Sequence, residues 1–438
     1  MLNQITLRGT MLLSCAVAGL AALPNVASAS TTYITVTANW ASGSGDWTSA
    51  SGWSSAPYAP NNGTPVNTAY DATIGSGANV TVAQGENINV DSVTATGALT
   101  INGTLNLAQP DNGGSPGLVT GKLNIGNLGV LENAEINAPT ASSGSYNIEF
   151  AGVGGTLRNV TLASNLTVTG NLNVDTLASG VEGLVANGYV VNLQSGSMTF
   201  NGLPAGTGAV YNYDGVINLY APYTAVQGGS AAVNFTQSAV VNVLAPAVAS
   251  PNAVGFEVNN GAINVGASAV SGAQARIGLS QNNGSITAYS GDTAALYFPV
   301  NNGILRAMVG GTIDMTGNST PINAELASGS TLDIQLGSNG TSGLLTVDGS
   351  LQLDSGSALS LSQLAGSAFT TPYDIINYTG ALTGTFTDVT PGYVLDYSHA
   401  GEILVTAVPD PTALALFAIG FAGLALKRRK RSESRPAA

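Results

Sequence analysis

The sequence predicts an all-β chain: a right-handed parallel β-helix with an aromatic N-terminal cap, a β-hairpin closure at its far end and a single C-terminal hydrophobic helix. Three observations carry this expectation. From Asn79 onward, short runs alternate apolar and polar residues, as in Val80-Thr81-Val82, Ile88-Asn89-Val90, Leu99-Thr100-Ile101 and Leu123-Asn124-Ile125. That period of two is the mark of a half-buried strand. A longer repeat lies over it, because Asn259-Asn260-Gly261, Asn282-Asn283-Gly284 and Asn301-Asn302-Gly303 place equivalent glycines 23 and 19 residues apart. Such an interval is close to one turn of a β-solenoid, whose tight corners Gly and Asn tolerate. Finally, 8% of the residues are charged and 44% hydrophobic, against roughly 25% charged in ordinary globular chains. Stacked turns consist largely of core and small corner residues, which leaves few sites for charge. A β-sandwich array, with strands at about 8–12-residue intervals, is the competing architecture.

Residues 1–29 read as a secretory signal peptide. Arg8 lies in the opening segment, Met11 to Leu23 is apolar, and Ala27-Ser28-Ala29 precedes Ser30. Small residues at positions −3 and −1 place cleavage after Ala29. Cys15 leaves with that segment; a lipoprotein reading of Leu13-Ser14-Cys15 has too few apolar residues before the cysteine. A mature chain without cysteine suits an oxidising compartment without requiring one.

Residues 30–78 hold all three tryptophans, Trp40, Trp47 and Trp53, followed by Pro57, Pro60 and Asn61-Asn62-Gly63. Large aromatics in this position form either a cap over the first turn, the preferred reading, or a glycan-contact platform. The pattern W…GSGDW…W…P-N-N-G resembles the opening of bacterial exported proteins with autotransporter-like β-helix repeats. Residues 79–340 carry the repeats. In 341–407 longer strands with Tyr and Phe, such as Tyr373 to Tyr378 and Gly392 to Tyr397, are expected to close the lower end as hairpins.

Residues 408–438 combine Pro409-Asp410-Pro411, the apolar run Thr412 to Leu426, and Lys427-Arg428-Arg429-Lys430-Arg431. As a helix those fifteen apolar residues span about 22 Å, short of a hydrocarbon core of roughly 30 Å, so flanking residues or local thinning must supply the rest. The basic cluster holds the extreme C-terminus on the cytoplasmic side. This tripartite end resembles the PEP-CTERM sorting domain, in which Pro-Glu-Pro, a hydrophobic helix and an arginine-rich tail are recognised by a membrane enzyme, exosortase, that removes the tail. Asp410 stands where that family usually has Glu. The resemblance implies an exosortase-type partner, transient inner-membrane insertion, and delivery to the cell surface or extracellular polymer. A plain C-terminal membrane anchor is the alternative.

Charge excludes several functions. Of eleven Lys and Arg, six lie in the last twelve positions, and between Ser30 and Val408 only Lys122, Arg158, Arg276 and Arg306 face 22 carboxylates, a net −18. Nucleic-acid binding is excluded on that ground. One cysteine and one histidine provide no ligand cluster for zinc or for a disulfide scaffold, and the abundance of Val, Ile and Leu argues against disorder.

Catalysis finds little to work with. No two acidic residues are adjacent, and the closest set is Glu132 with Glu135, whereas glycoside hydrolysis needs clustered carboxylates. His399, in Tyr397-Ser398-His399-Ala400-Gly401, reads as an exposed turn residue with no carboxylate nearby to orient it. Gly113-Gly114-Ser115-Pro116-Gly117 and Gly154-Gly155-Thr156 lack the Lys and following helix of a phosphate loop and read as turns. The carboxylates read as a solvated acidic face, with weak calcium bridging as the minor alternative. No catalytic residue, metal site or cofactor is expected. The predicted function is that of an exported, non-enzymatic structural or adhesive protein with an extracellular polysaccharide as partner. A secreted polysaccharide lyase or hydrolase and a self-assembling surface-layer protein are the alternatives.

Overall fold

A computed structural model describes residues 33–408, apart from 42, 108–116, 140–146, 176–182, 202–209, 229–231, 247–250, 267–271, 318–320 and 365–371. Several expected features lie outside the described residues: the signal peptide with Ala27 and Ala29, the motif Pro409-Asp410-Pro411, the apolar run 412–426, and the basic tail from Lys427 to Arg431. Among the described residues no helix is long and apolar enough to cross a membrane. The helical segment described is the 3-10 turn Ala50–Gly52.

The chain is all-β, and nearly all of its strand pairs are parallel. Each strand pairs with one that comes roughly a repeat later in sequence, so the pairings line up into three ladders. The first ladder runs from Ser44–Asp46 through strands such as Asn79–Val82, Val216–Leu219 and Ile304–Ala307 to Asp388–Val389. Fourteen pairings link fifteen strands along it. The second begins at Asn87–Asn89 and ends at Tyr373–Tyr378. The third has two stretches, Ile34–Asn39 to Leu184–Val185 and Val210–Tyr213 to Leu382–Gly384.

Alternation decides which side chains meet. In Val216–Leu219, Val240–Val243 and Ala262–Val265 the registers match Ile217 with Val241 and Ile263, and Leu219 with Val243 and Val265. All six are fully buried. Polar partners between them, Asn218, Asn242 and Asn264, face outward and are half-buried. Repeating this arrangement gives one continuous apolar core from Ala38 to Val405, in which each fully buried Val, Leu or Ile contributes about 1.5–3 kcal/mol. Four aromatics thicken that core midway. Tyr213 lies 5.4 Å from Phe200 and 5.9 Å from Phe235, and Phe235 lies 3.8 Å from Phe256, ring centre to ring centre.

Three sequence expectations change here. Gly154-Gly155-Thr156 is not a turn; it lies inside the strand Asn147–Arg158, where a register shift between Val153 and Gly155 makes a bulge. The glycines of the Asn-Asn-Gly repeats are needed for close approach and do not have left-handed backbones. A Cβ on Gly261, Gly284 or Gly303 would come within 2.1–2.2 Å of the carbonyl oxygen of the preceding repeat. Finally, parallel pairing does not stop near 341. It continues through Leu344–Val347, Gly349–Leu353 and Ala358–Gln363 to Asp388–Val389. Among the described residues, antiparallel closure of this end is made by Tyr393–Asp396 and Glu402–Ala407, the latter paired also with Tyr373–Tyr378.

Candidate functional site: the outer faces and their grooves

The N-terminal tryptophans face inward. Trp40, Trp47 and Trp53 are 7%, 0% and 2% exposed, with Trp53 in contact with both others at 5.0 and 4.8 Å. The Trp47 indole N–H donates to the Pro60 carbonyl at 2.8 Å, and that of Trp53 to the Trp47 carbonyl at 2.7 Å. Gly45 and Gly52 lie against the Trp40 ring, which leaves no room for a Cβ. Asn61 and Asn62 extend the clamp: their side-chain oxygens accept from the Asn89 and Tyr70 amides. No indole face is open to a sugar, and the segment forms a packed cap.

The outward faces carry columns of carboxamides. Asn218 donates to Asn192, Asn242 to Asn218 and Asn264 to Asn242, each at 2.9 Å. A second column joins Asn159, Asn133, Asn106 and Asn89 at 2.6–2.9 Å; Asn133 and Asn159 have φ of 53°, the left-handed corner that Asn accommodates. Each amide has two N–H groups and two lone-pair directions, so a ladder bond leaves one donor and one acceptor per residue free to face outward. A third column is internal. Asn259 donates to Asn282 and Asn282 to Asn301, both at 2.7 Å, and all three are fully buried.

Charged groups brace strands. Arg158 lies between Glu132 at 2.5 Å and Asp175 at 3.2 Å, and Asn201 donates to Asp175. Arg306 pairs with Asp333 at 2.7 Å. These partners are matched by strand register, where opposite charges stabilise neighbouring strands. Glu132 and Glu135, the acidic pair nearest in sequence, lie on different ladders, Glu135 on the third and Glu132 on the second. His399 sits at the tip of the closing hairpin with its Nε2 3.4 Å from Asp396, three residues earlier. A carboxylate therefore does stand beside it, contrary to the sequence expectation. Both side chains are about half exposed, at 53% and 47%, and hydrogen bonds from Ser398, before any effect of His399, hold Asp396 below the ordinary carboxylate range.

The acidic residues are not all on a solvated face. Asp292 is 1% exposed. Its Oδ1 accepts from the Ala273 amide at 2.7 Å, while Oδ2 is buried with no partner among the described residues. Burial raises its pKa above the ordinary 3.8. Asp91, also buried, is raised by desolvation against the opposing hydrogen bond from Asn62. Glu325 is raised by desolvation and then by Asp354. Among the described residues no three His, Cys, Asp or Glu side chains gather closely enough to hold a metal ion.

Shallow grooves cross the ladders. One of about 610 Å³ is lined by residues including Thr100, Asn124, Val153 and Thr169. Another, of about 450 Å³, lies between Gln227 and Tyr297. Neither is lined by the Glu132–Arg158–Asp175 row. No family model matches the chain, and no curated protein matches it.

Proposed function

We propose that the chain is an exported, non-enzymatic structural or adhesive protein whose ladders wind as a right-handed parallel β-helix. The observation that carries this reading is the set of hydrogen-bonded asparagine columns over one continuous core. At ~4.8 Å per strand the fifteen strands of the first ladder make a face about 65 Å long, a repeated polar surface suited to an extended polymer. The carboxylate–arginine row, the arrangement closest to a catalytic set, is engaged in bracing adjacent strands. In this proposal the signal peptide is cut after Ala29. The PEP-CTERM-like end is then processed by an exosortase-type enzyme near Pro409-Asp410-Pro411, and the body reaches the cell surface or extracellular polymeric matrix.

Mass spectrometry of the natively exported chain tests this by giving both termini. The expected product begins at Ser30 and has lost Lys427 to Arg431. A chain found wholly in the cytoplasmic membrane with residues 412–431 attached would overturn the sorting half. Release of oligosaccharides from a polysaccharide, abolished by Glu132→Gln, would overturn the non-enzymatic half.

A further inference from the structure

Gly255 and Gly278 are glycines for which the fold gives no local reason. They lie inside the strands Asn252–Asn259 and Gln274–Asn282 and face each other in register. Neither has a left-handed backbone. A Cβ on Gly278 would meet nothing within 4 Å, and one on Gly255 would find its nearest neighbours at 3.8 Å, an ordinary contact. Other strand-interior glycines are accounted for: Gly45 by the Trp40 ring, Gly152 by Phe150, Gly155 by Ile125, and Gly154 and Gly170 by φ of +120° and +118°. Glycine weakens a strand interior, and one of its uses there is to let another molecule approach the backbone.

Register shows what the missing side chains open. Gln227 is opposite Gly255 and Gly255 opposite Gly278. Tyr297 continues the column, since its amide donates to the Ile277 carbonyl at 2.8 Å. The outward column thus reads carboxamide, gap, gap, phenol ring, over about 14 Å at ~4.8 Å per strand. Glu257 and Ser280 stand two residues further along the same strands and are exposed. Together these residues line the groove of about 450 Å³.

We propose that this notch is a saccharide-binding subsite, taking one or two pyranose rings of a neutral polysaccharide; the inference rests on the adhesive reading above and gives it a place. A flat backbone floor and the Tyr297 ring suit the C–H face of a sugar, and Gln227, Glu257 and Ser280 supply donors and acceptors for its hydroxyls. Other ligands fit less well. A peptide strand finds no free edge, because both neighbouring strands are paired. An anion would meet Glu257 in a lining that holds no Lys or Arg, the exposed Arg276 two residues before Gly278 standing outside it, and a body of net charge −18.

The test is affinity electrophoresis of the purified full chain in gels containing a soluble β-glucan or a galactomannan. The variants are Gly278→Val, Gly278→Ala and Tyr297→Ala, with Gln352→Ala, exposed on the strand Gly349–Leu353 and outside the groove and the asparagine columns, as a remote control. The wild type should be retarded by at least one of the two polymers. Gly278→Val and Tyr297→Ala should weaken binding at least tenfold, Gly278→Ala should weaken it less, and Gln352→Ala should leave it unchanged. Gly278→Val should also melt no lower than the wild type, which separates a blocked subsite from a damaged fold. Wild-type binding that survives both Gly278→Val and Tyr297→Ala would overturn the subsite and leave the adhesive reading standing. A wild type retarded by neither polymer would overturn both.

Discussion

Replacing Asn282 by alanine isolates what burial does to an amide ladder. Asn282 accepts from Asn259 and donates to Asn301, both at 2.7 Å and all out of contact with solvent. Its loss strands one donor and one acceptor where water has no access, at roughly 1–3 kcal/mol each, or about 2–6 kcal/mol in all. Asn242 makes the same two kinds of bond, at 2.9 Å on both sides, but it is half-exposed and water takes its place. Asn242→Ala should therefore cost only about 0.5–1.5 kcal/mol. Stacked strands open locally, so the assay is hydrogen exchange by mass spectrometry on peptides spanning 252–260, 278–284 and 298–303, compared with 216–222, 240–246 and 262–266. A difference of about 1.4 kcal/mol is tenfold in the opening equilibrium, and since the midpoints of the two ranges differ by about 3 kcal/mol, Asn282→Ala should exceed Asn242→Ala by more than that factor. Equal protection losses would refute the argument that burial, and not bond count, sets the cost.

Two further perturbations follow from the cap and from the buried carboxylate. Trp47→Ala removes a fully buried indole that bonds Pro60 and supports Trp53; it should cost about 3–5 kcal/mol, read as faster exchange across 34–74 with 340–360 changed little. Burial of Asp292, opposed by the backbone hydrogen bond from Ala273, favours its neutral form in the fold. Its contribution is then fully present below the unfolded value of 3.8 and is lost as pH rises through the raised folded-state value. Asp292→Asn, which keeps the acceptor for Ala273, should gain stability relative to wild type as pH rises from 3.5 to 7, measured by exchange of the 272–278 amides; a difference independent of pH would contradict this.

What was legible in the sequence was whatever repeats within a few residues. Val216 to Leu219 reads as a strand because its two buried residues stand two apart, and the same holds for Ile263 and Val265. Asn259, Asn282 and Asn301 are visible as a repeat that reads as a tight corner, whereas in the fold they line the inside and the glycines beside them make room for backbone. Contacts set by the register of distant strands left no local trace. Glu132, Arg158 and Asp175 are separated by 26 and 17 residues, intervals that only the strand register makes equivalent. The bulge at Gly154 was hidden because glycine pairs signal turns far more often than interruptions within a strand. The notch at Gly255 and Gly278 was equally silent, since its signal is two side chains that are missing from neighbouring strands.

The internal asparagine column has a direction. At its start the Gly261 amide donates to the Asn259 oxygen, and at its end Asn301 donates to the Gly303 carbonyl. Both backbone contacts force each amide nitrogen to point toward later repeats, whereas the outward columns on Asn192 to Asn264 and Asn89 to Asn159 point toward earlier ones. Reversing one internal amide would set donor against donor on one side and acceptor against acceptor on the other, so the column can turn over only as a unit. An added Asn-Asn-Gly repeat, in contrast, meets an acceptor ahead of it and a donor behind it wherever it is inserted. The column therefore fixes orientation while leaving length open, and copies of the repeat can be gained or lost without redesigning what remains.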